Sequence, residues 1–170
     1  MKIGITLGDP AGIGPEIILK ALPSIKDLKN VYVFGNAGIF KKTARDLKLM
    51  REYNIVKKNL ITCTDEVRFH YGKPTRETGS AALQSINCAL NYGVDVLVTP
   101  PIVKEVIRQR LPDFIGHTEH LAQFFRSKDF AMLGLWRDKR IMLLTTHMPL
   151  RHIFKEVKPS AVMRKLMLLE

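Results

Sequence analysis

The sequence predicts an α/β protein with a mixed, mostly parallel sheet and flanking helices. Short apolar runs alternate with amphipathic helical stretches along most of the chain, as in successive strand–helix–strand units. Glycine- and proline-rich loops separate these runs. Two apolar runs near residue 138 are joined by a tight turn, which predicts an antiparallel hairpin and adds antiparallel pairing to the sheet.

The first 50 residues predict two strand–helix units. Residues 2–7 form an apolar first strand, and a loop rich in glycine and proline follows. Pro15 suits the first turn of a helix because its missing N–H costs nothing there, and we expect this helix to end near residue 22. Residues 31–34 predict the second strand, and Asn36 can cap a helix over about residues 37–47.

The middle of the chain predicts a long helix between two strand regions. The pattern before it is weak, and short strands are expected at residues 55–56 and 60–62. Thr75 or Thr78 can cap a helix that reaches about Tyr92, and Gly93 can end it with a positive φ.

The rest of the chain predicts one more parallel strand, the hairpin and three helices. The expected elements, in order, are a strand at 94–99, a helix that follows Pro100-Pro101 and reaches about Arg110, a helix opened by Thr118, strands at 130–136 and 140–145 that turn at Asp138-Lys139, and an amphipathic helix from Pro159.

Composition excludes several classes of protein. The 170-residue chain is 46% hydrophobic and 25% charged, which is ordinary for one globular domain. It has no apolar run of the roughly 18 residues that a membrane span requires and no signal-peptide pattern, so we expect a cytoplasmic protein. Cys63 and Cys88 are expected to be free thiols. The net charge of +11 is spread along the chain without stacking aromatics, which favours an anionic small-molecule substrate over nucleic acid.

The loop after the first strand, residues 8–16, is the first candidate for chemistry. Its sequence is Gly-Asp-Pro-Ala-Gly-Ile-Gly-Pro-Glu. It lies where α/β sheets bind ligands, and its glycines and the helix start behind it suit an anion. The spacing matches neither the dinucleotide fingerprint nor the P-loop, so a plain turn into a helix is an equal alternative. Asp9 supplies a carboxylate here.

Three further positions carry groups that could bind a ligand. Lys104 follows the strand at 94–99 and could contact a phosphate, although a solvated lysine is the alternative. His117 and Thr118 stand at a helix start, where an imidazole, a hydroxyl and free backbone N–H groups suit a phosphate or carboxylate. The alternative for His117 is a structural histidine.

His147 is the candidate metal ligand. It lies just past an apolar strand and just before Met148-Pro149, so the backbone would be held while the ring is exposed. Neutral imidazole is a good ligand for zinc or a similar divalent ion, and a capping histidine is the alternative. The other histidines have no spacing to His147 that local geometry would turn into a metal site.

Taken together, these segments resemble the 4-hydroxythreonine-4-phosphate dehydrogenase family of vitamin B6 biosynthesis. The most specific matches are the loop at 8–16 and the segment Thr-Thr-His-Met-Pro-Leu at 145–150. Supporting matches occur at 78–82, 98–104 and 116–119.

The resemblance implies a fold like that of the isocitrate and isopropylmalate dehydrogenases, with two subdomains. It implies NAD as oxidant, oxidation of a secondary alcohol to a 3-oxo acid that loses carbon dioxide, and a divalent ion, with zinc expected and cobalt or magnesium as alternatives. It assigns His117 and Thr118 to substrate contact and His147 to a set of three metal-binding histidines. Asp9 and Lys104 match family motifs without a definite role and are the weak catalytic candidates. It also implies a homodimer.

The resemblance also implies that something is missing. Family members are about twice as long, so residues 1–170 correspond to the N-terminal half of an incomplete two-subdomain fold, and we expect this chain alone to be inactive. The alternatives are a relative acting on threonate or erythronate 4-phosphate, and a non-catalytic half-subunit that needs a complementing chain. A basic nucleic-acid binder is the remaining alternative.

Overall fold

The structure is a computed structural model that describes residues 1–146 and 148–169. The chain divides into two compact units, residues 1–117 and 118–170, and each is described by itself. Among the described residues, no helix combines the length and the apolar character needed to cross a membrane.

The first unit is built on a four-stranded parallel sheet in the order β3-β2-β1-β4. Its strands are β1 (Ile3–Thr6), β2 (Val31–Gly35), β3 (Leu60–Thr62) and β4 (Val96–Val98). Ile3 of β1 lies beside Val31 of β2 on one side and Val96 of β4 on the other, so β1 is the strand that pairs with both. The α/β class and the parallel pairing predicted from the sequence are confirmed.

Five helices surround this sheet: α1 (Gly14–Ala21), α2 (Ala37–Asp46), α3 (Met50–Val56), α4 (Arg76–Tyr92) and α5 (Lys104–Arg108). Short 3₁₀ turns at Leu22–Ser24 and Lys57–Asn59 extend α1 and α3. Successive side chains of a strand point to opposite faces of the sheet. Val31 and Val33 belong to the core with α1 and α2, whereas Phe34 contacts Tyr92 of α4 at 5.5 Å between ring centres. The helices therefore form two layers, with α1 to α3 on one face and α4 on the other.

Local signals place the ends of these helices as the sequence predicted. The Asn36 side chain accepts a hydrogen bond from the Gly38 N–H at 2.7 Å and caps α2. Thr75, the first of the two candidate caps, accepts from the Thr78 N–H at 3.3 Å, and the Thr78 hydroxyl accepts from the Thr75 N–H at 3.0 Å. Gly93 has a φ of +71° and ends α4.

The predicted strand at residues 55–56 is wrong, because these residues form the end of α3. Tyr53 and Val56 are three positions apart and both are buried, so one face of a helix reaches the core. A two-residue apolar run cannot distinguish this face from a short strand. The strand predicted at 60–62 is present as β3.

The second unit contains α6 (His117–Phe124, whose first residue closes the first unit), the strands β5 (Leu133–Trp136) and β6 (Lys139–Met142), and the helices α7 (Leu150–Glu156) and α8 (Pro159–Leu166). The hairpin turns at residues 137–138, one position earlier than predicted, with Arg137 at a φ of +54°. The two strands pair with each other in a sheet of their own, so antiparallel and parallel pairing lie in separate sheets. The sequence pattern did not predict α7.

The second unit exposes large apolar side chains. Leu135 of β5, Phe154 of α7 and Met167 after α8 are 70%, 85% and 70% exposed. The amphipathic helix predicted at Pro159 is present, and its Met163 and Leu166 are also exposed.

Candidate functional site

The carboxyl ends of β1 and β4 form the best-defined candidate site. These strands are neighbours in the sheet. The chain leaves β1 for α1 in one helix layer, and leaves β4 for α5, which packs on α4 in the other. Open α/β sheets bind ligands where neighbouring strands send their connections to opposite faces. The loop after β1 and the segment 98–104, both singled out from the sequence, meet at this point.

The loop after β1 and the segment after β4 are held in contact by a backbone hydrogen bond and by close packing. The Asp9 N–H donates to the Pro101 carbonyl at 3.0 Å. Gly8 has a φ of +71°, and a Cβ there would lie 2.9 Å from the Pro100 Cβ. A Cβ on Gly14 would lie 2.6 Å from the Leu7 carbonyl oxygen. Gly8 and Gly14 are therefore required by the close approach of the loops.

Gly12 differs from the other two glycines of this loop. It is exposed, and a Cβ there would make only ordinary contacts, the nearest at 3.5 Å from the Asp9 carbonyl oxygen. The packing of the described residues thus leaves room for a side chain at position 12. This accessible stretch of backbone is the part of the loop that a ligand could approach.

Asp9 is buried inside the loop, with 2% of its surface exposed. Its Oδ1 accepts from the Ala11 N–H at 2.8 Å, and its carbonyl accepts from the Gly12 N–H at 3.0 Å. Its Oδ2 is buried and makes no hydrogen bond of good geometry to a described residue. Burial raises the pKa of the Asp9 carboxyl, and the Ala11 N–H and the Thr78 hydroxyl partly offset that rise. These contacts explain Asp9 as a loop-forming residue, and its catalytic role stays a prediction.

Lys104 is the first residue of α5 and is exposed. No ion pair joins it to Asp9 among the residues that the structure describes. Asp9 lies in the loop after β1 and Lys104 at the start of α5, so one of the two weak catalytic candidates is buried and the other is in solvent.

His117 and Thr118 lie at the start of α6, as the sequence predicted to within one residue. Gly116 before them is buried, and both residues are half-buried. The Nε2 atom of His117 is enclosed by the protein. One turn further on, burial lowers the pKa of His120 and favours its neutral form. The boundary between the two compact units falls between His117 and Thr118.

His147, the predicted metal ligand, lies outside the described residues. Within residues 1–146 and 148–169, no three His, Cys, Asp or Glu side chains come close enough to hold a metal ion. The described part of the chain therefore does not by itself fit a complete metal site, since such a site needs at least three protein ligands.

The structure shows what the segment at 78–82 does, which the sequence did not. A Cβ on Gly79 would lie 2.8 Å from the backbone of Val106, so this glycine lets α4 pack directly on α5. Further along α4, the buried Ser85 hydroxyl accepts from the Leu7 N–H at 3.2 Å and fixes the end of β1. Small residues at intervals of three along α4, at 79, 82 and 85, are the signal that could have indicated this contact.

A parallel sheet between two layers of helices, with a switch point at β1 and β4, defines this chain as an open-sheet α/β protein, a class in which small ligands bind at the carboxyl ends of strands. Residues 27–170 match the family model described as Pyridoxal phosphate biosynthetic protein PdxA, and the chain belongs to this family. Its solved structural neighbours have the isocitrate/isopropylmalate dehydrogenase-like fold.

Individual relatives agree with this assignment. A 4-hydroxythreonine-4-phosphate dehydrogenase of Bacteroides thetaiotaomicron is 31% identical over an aligned length of 185 residues, gaps included. The alignment covers 99% of this chain and 51% of that protein. A Fusobacterium nucleatum protein, named provisionally as a D-threonate 4-phosphate dehydrogenase, is 34% identical over 169 residues, 88% of this chain and 51% of its own. The crystal structure of 4-hydroxythreonine-4-phosphate dehydrogenase from Klebsiella pneumoniae superposes with a TM-score of 0.77 at 25% identity, over 99% of this chain and 56% of the other. The chain thus spans about half the length of the relatives it matches.

Proposed function

We propose that this chain forms the N-terminal half of a dehydrogenase that oxidises 4-hydroxythreonine 4-phosphate with NAD in vitamin B6 biosynthesis. Membership of the PdxA family is the observation that carries the proposal. The names of the Bacteroides and Klebsiella relatives support the reaction class. In this reaction the secondary alcohol gives a hydride to NAD⁺ and its hydroxyl proton to a base, and the resulting 3-oxo acid loses carbon dioxide.

The start of α6 is the part of this chain that we assign to the substrate. The proposed substrate carries a phosphate and a carboxylate, and backbone N–H groups at a helix start favour such anions. The half-buried His117 and Thr118 would add an imidazole and a hydroxyl as hydrogen-bonding groups. These two side chains would orient the substrate through polar contacts. This assignment does not depend on any catalytic role of Asp9 or Lys104.

A divalent ion, zinc with cobalt or magnesium as alternatives, would act as a Lewis acid on the hydroxyl and keto oxygens. His147 is the one residue of this chain that we propose as its ligand. The described residues form no three-ligand cluster of their own, and the family resemblance assigns the other two metal-binding histidines to the half that this chain does not span. We therefore expect the 170-residue chain alone neither to bind the ion tightly nor to turn over. A homodimer is part of the proposal on the family resemblance alone.

D-Threonate 4-phosphate is the second candidate substrate. The Fusobacterium relative, named provisionally for this substrate, has the higher identity of the two curated relatives described, 34% against 31%. The two substrates differ at the carbon next to the carboxylate, where 4-hydroxythreonine 4-phosphate carries an amino group and D-threonate 4-phosphate carries a hydroxyl. At neutral pH the amino group is a positively charged donor, whereas the hydroxyl is neutral and both donates and accepts, so the charge and the hydrogen-bonding groups beside this position would decide between the two substrates.

The test reconstitutes the missing half. The chain would be mixed with the separately expressed second half of the Bacteroides relative, and NADH formation followed with each substrate and added zinc. We expect turnover with one substrate only, and none from the chain alone.

Since losing a hydrogen bond to a charged group costs about 1.5–3 kcal/mol, His117→Ala and Thr118→Val should each lower kcat/KM about ten- to hundredfold. The exposed His152→Ala is the matched control. Equal effects of all three variants, or turnover by the chain alone, would contradict the assignment.

A further inference from the structure

The two cysteines of the chain, Cys63 and Cys88, come together in the first unit. Both are free thiols, as the sequence predicted, and both are half-buried. They line the same cavity of about 530 Å³, together with side chains of α4 that include Gln84 and Tyr92. The Cys88 side chain is a hydrogen-bonding neighbour of the Cys63 thiol. Burial and this neighbour both raise the pKa of Cys63.

The sheet directs the Cys63 side chain toward α4. Cys63 follows β3 directly, and its N–H donates to the Gly35 carbonyl at 2.9 Å, so the pairing of β3 with β2 continues through Cys63. Ile61 pairs with Phe34, and Cys63 is two positions further along. Alternate residues of a strand share a face, so Cys63 points to the face that carries Phe34 and α4.

The position of Cys88 on α4 completes the pair. Cys88 precedes Tyr92 by four residues, so the two side chains lie on one face of the helix. Tyr92 contacts Phe34 of the sheet, and this face therefore looks toward the strands. One turn earlier, Ser85 accepts from the Leu7 N–H at 3.2 Å and holds α4 on β1. Both cysteines thus stand on backbone that the fold keeps in place.

We propose that Cys63 and Cys88 are a modification site that forms a reversible disulfide by exchange with a low-molecular-weight disulfide. A thiolate of the pair attacks one sulfur of the small disulfide, forms a mixed disulfide and releases one small thiol. The other cysteine attacks the protein sulfur of the mixed disulfide and releases the second small thiol. Two electrons pass from the cysteines to the small disulfide, and their two protons end on the released thiols.

The fold favours this bond for an entropic reason. The unfolded chain must close a loop over residues 63–88 to join the two sulfurs, whereas the folded chain already holds them side by side. The disulfide would fasten the end of β3 to α4. In a reducing compartment such bonds are usually transient, so we expect the pair to respond to an oxidising challenge. This inference does not depend on the dehydrogenase reaction.

The experiment compares the folded and the unfolded chain. The 170-residue chain would be equilibrated with mixtures of oxidised and reduced glutathione, in native buffer and in urea. Thiol titration and intact mass would give the fraction that has lost two hydrogens, and with two cysteines in the chain an intramolecular disulfide can only be this pair. We expect its equilibrium constant to be at least about tenfold larger in the folded chain. The raised pKa of Cys63 slows exchange, so the readout is the equilibrium and not the rate.

Urea unfolding supplies an independent readout with a matched control. Oxidation and folding form a thermodynamic cycle, so the urea midpoint must rise in the oxidised chain. Cys63→Ser and Cys88→Ser each leave one thiol, and their midpoints should not rise with oxidised glutathione. An equilibrium constant no larger in the folded chain than in urea would overturn the proposal. Oxidation that yields only disulfide-linked dimers, or an equal rise in the midpoints of the serine variants, would also overturn it.

Discussion

Replacing Gly14 with alanine tests whether the close approach of the loops holds the switch point together. The added Cβ would lie 2.6 Å from the Leu7 carbonyl oxygen, 3.3 Å from the Gly8 Cα and 3.3 Å from the Pro100 Cβ. Two of these three atoms belong to backbone, so they cannot move aside as a flexible side chain would. The backbone around the end of β1 must shift instead.

The size of the effect follows from opposing contributions. Overpacking of a tight site costs about 1–3 kcal/mol. Alanine in place of glycine returns about 0.4–1 kcal/mol by restricting the unfolded chain. We therefore expect Gly14→Ala to lower the free energy of unfolding by about 1–2 kcal/mol. Gly12→Ala is the matched control, because its Cβ meets nothing closer than 3.5 Å and its φ is not positive. That variant should keep or slightly raise the stability.

Urea unfolding followed by far-ultraviolet circular dichroism would compare the two variants. Trp136 is the single tryptophan and lies in the second unit, so its fluorescence follows a region that carries neither substitution. Equal midpoints for Gly14→Ala and Gly12→Ala would refute the reasoning. A greater loss for Gly12→Ala would also refute it.

Three further predictions concern Asp9 in the loop after β1, Ser85 in α4 and Thr75 at the cap of α4. Burial raises the pKa of Asp9 above the ordinary value of 3.8, so the stabilising contribution of its protonated form is present below pH 3.8 and is lost as the pH rises through the raised pKa. Asp9→Asn should therefore gain stability relative to wild type between pH 3.8 and neutral pH, and a pH-independent difference between the two unfolding curves would contradict this. Ser85→Ala should cost about 1–3 kcal/mol in urea unfolding, because it leaves the Leu7 N–H without the acceptor it now has at 3.2 Å. Ser80→Ala, at a half-buried position of the same helix, is its control and should cost less. Thr75→Ala should destabilise α4 by about 1 kcal/mol through loss of its cap, whereas Thr75→Ser keeps the hydroxyl and should lose clearly less.

Much of the fold could be predicted because its signals are local. Asn36, Thr75 and Gly93 act through contacts within a few residues of themselves, and the ends of α2 and α4 lie where they predicted. The apolar runs of β1, β2 and β4 are long enough to distinguish strand from helix. Residues 55–56 were assigned to a strand because two apolar residues carry no period, and the core decided for a helix there.

The candidate site was predictable in part. The pattern located the loop after β1 and the start of α6, since both are glycine-marked segments next to a strand end or helix start. It did not indicate that Asp9 is buried with its Oδ1 turned onto the Ala11 N–H. It also did not indicate that Gly79 and Ser85 hold α4 against α5 and β1.

The sequence by itself determined the α/β class, the positions of most helices and strands and the residues that resemble a known family, because these depend on periodicity, caps and short motifs. The tertiary structure alone decided the strand order, and with it the meeting of the loops after β1 and β4. It also decided that the hairpin forms a separate sheet and that β4 stands at one end of the strand order among the described residues. These features depend on pairing between segments up to about ninety residues apart, such as Ile3 with Val96, and no local pattern encodes which strands become neighbours.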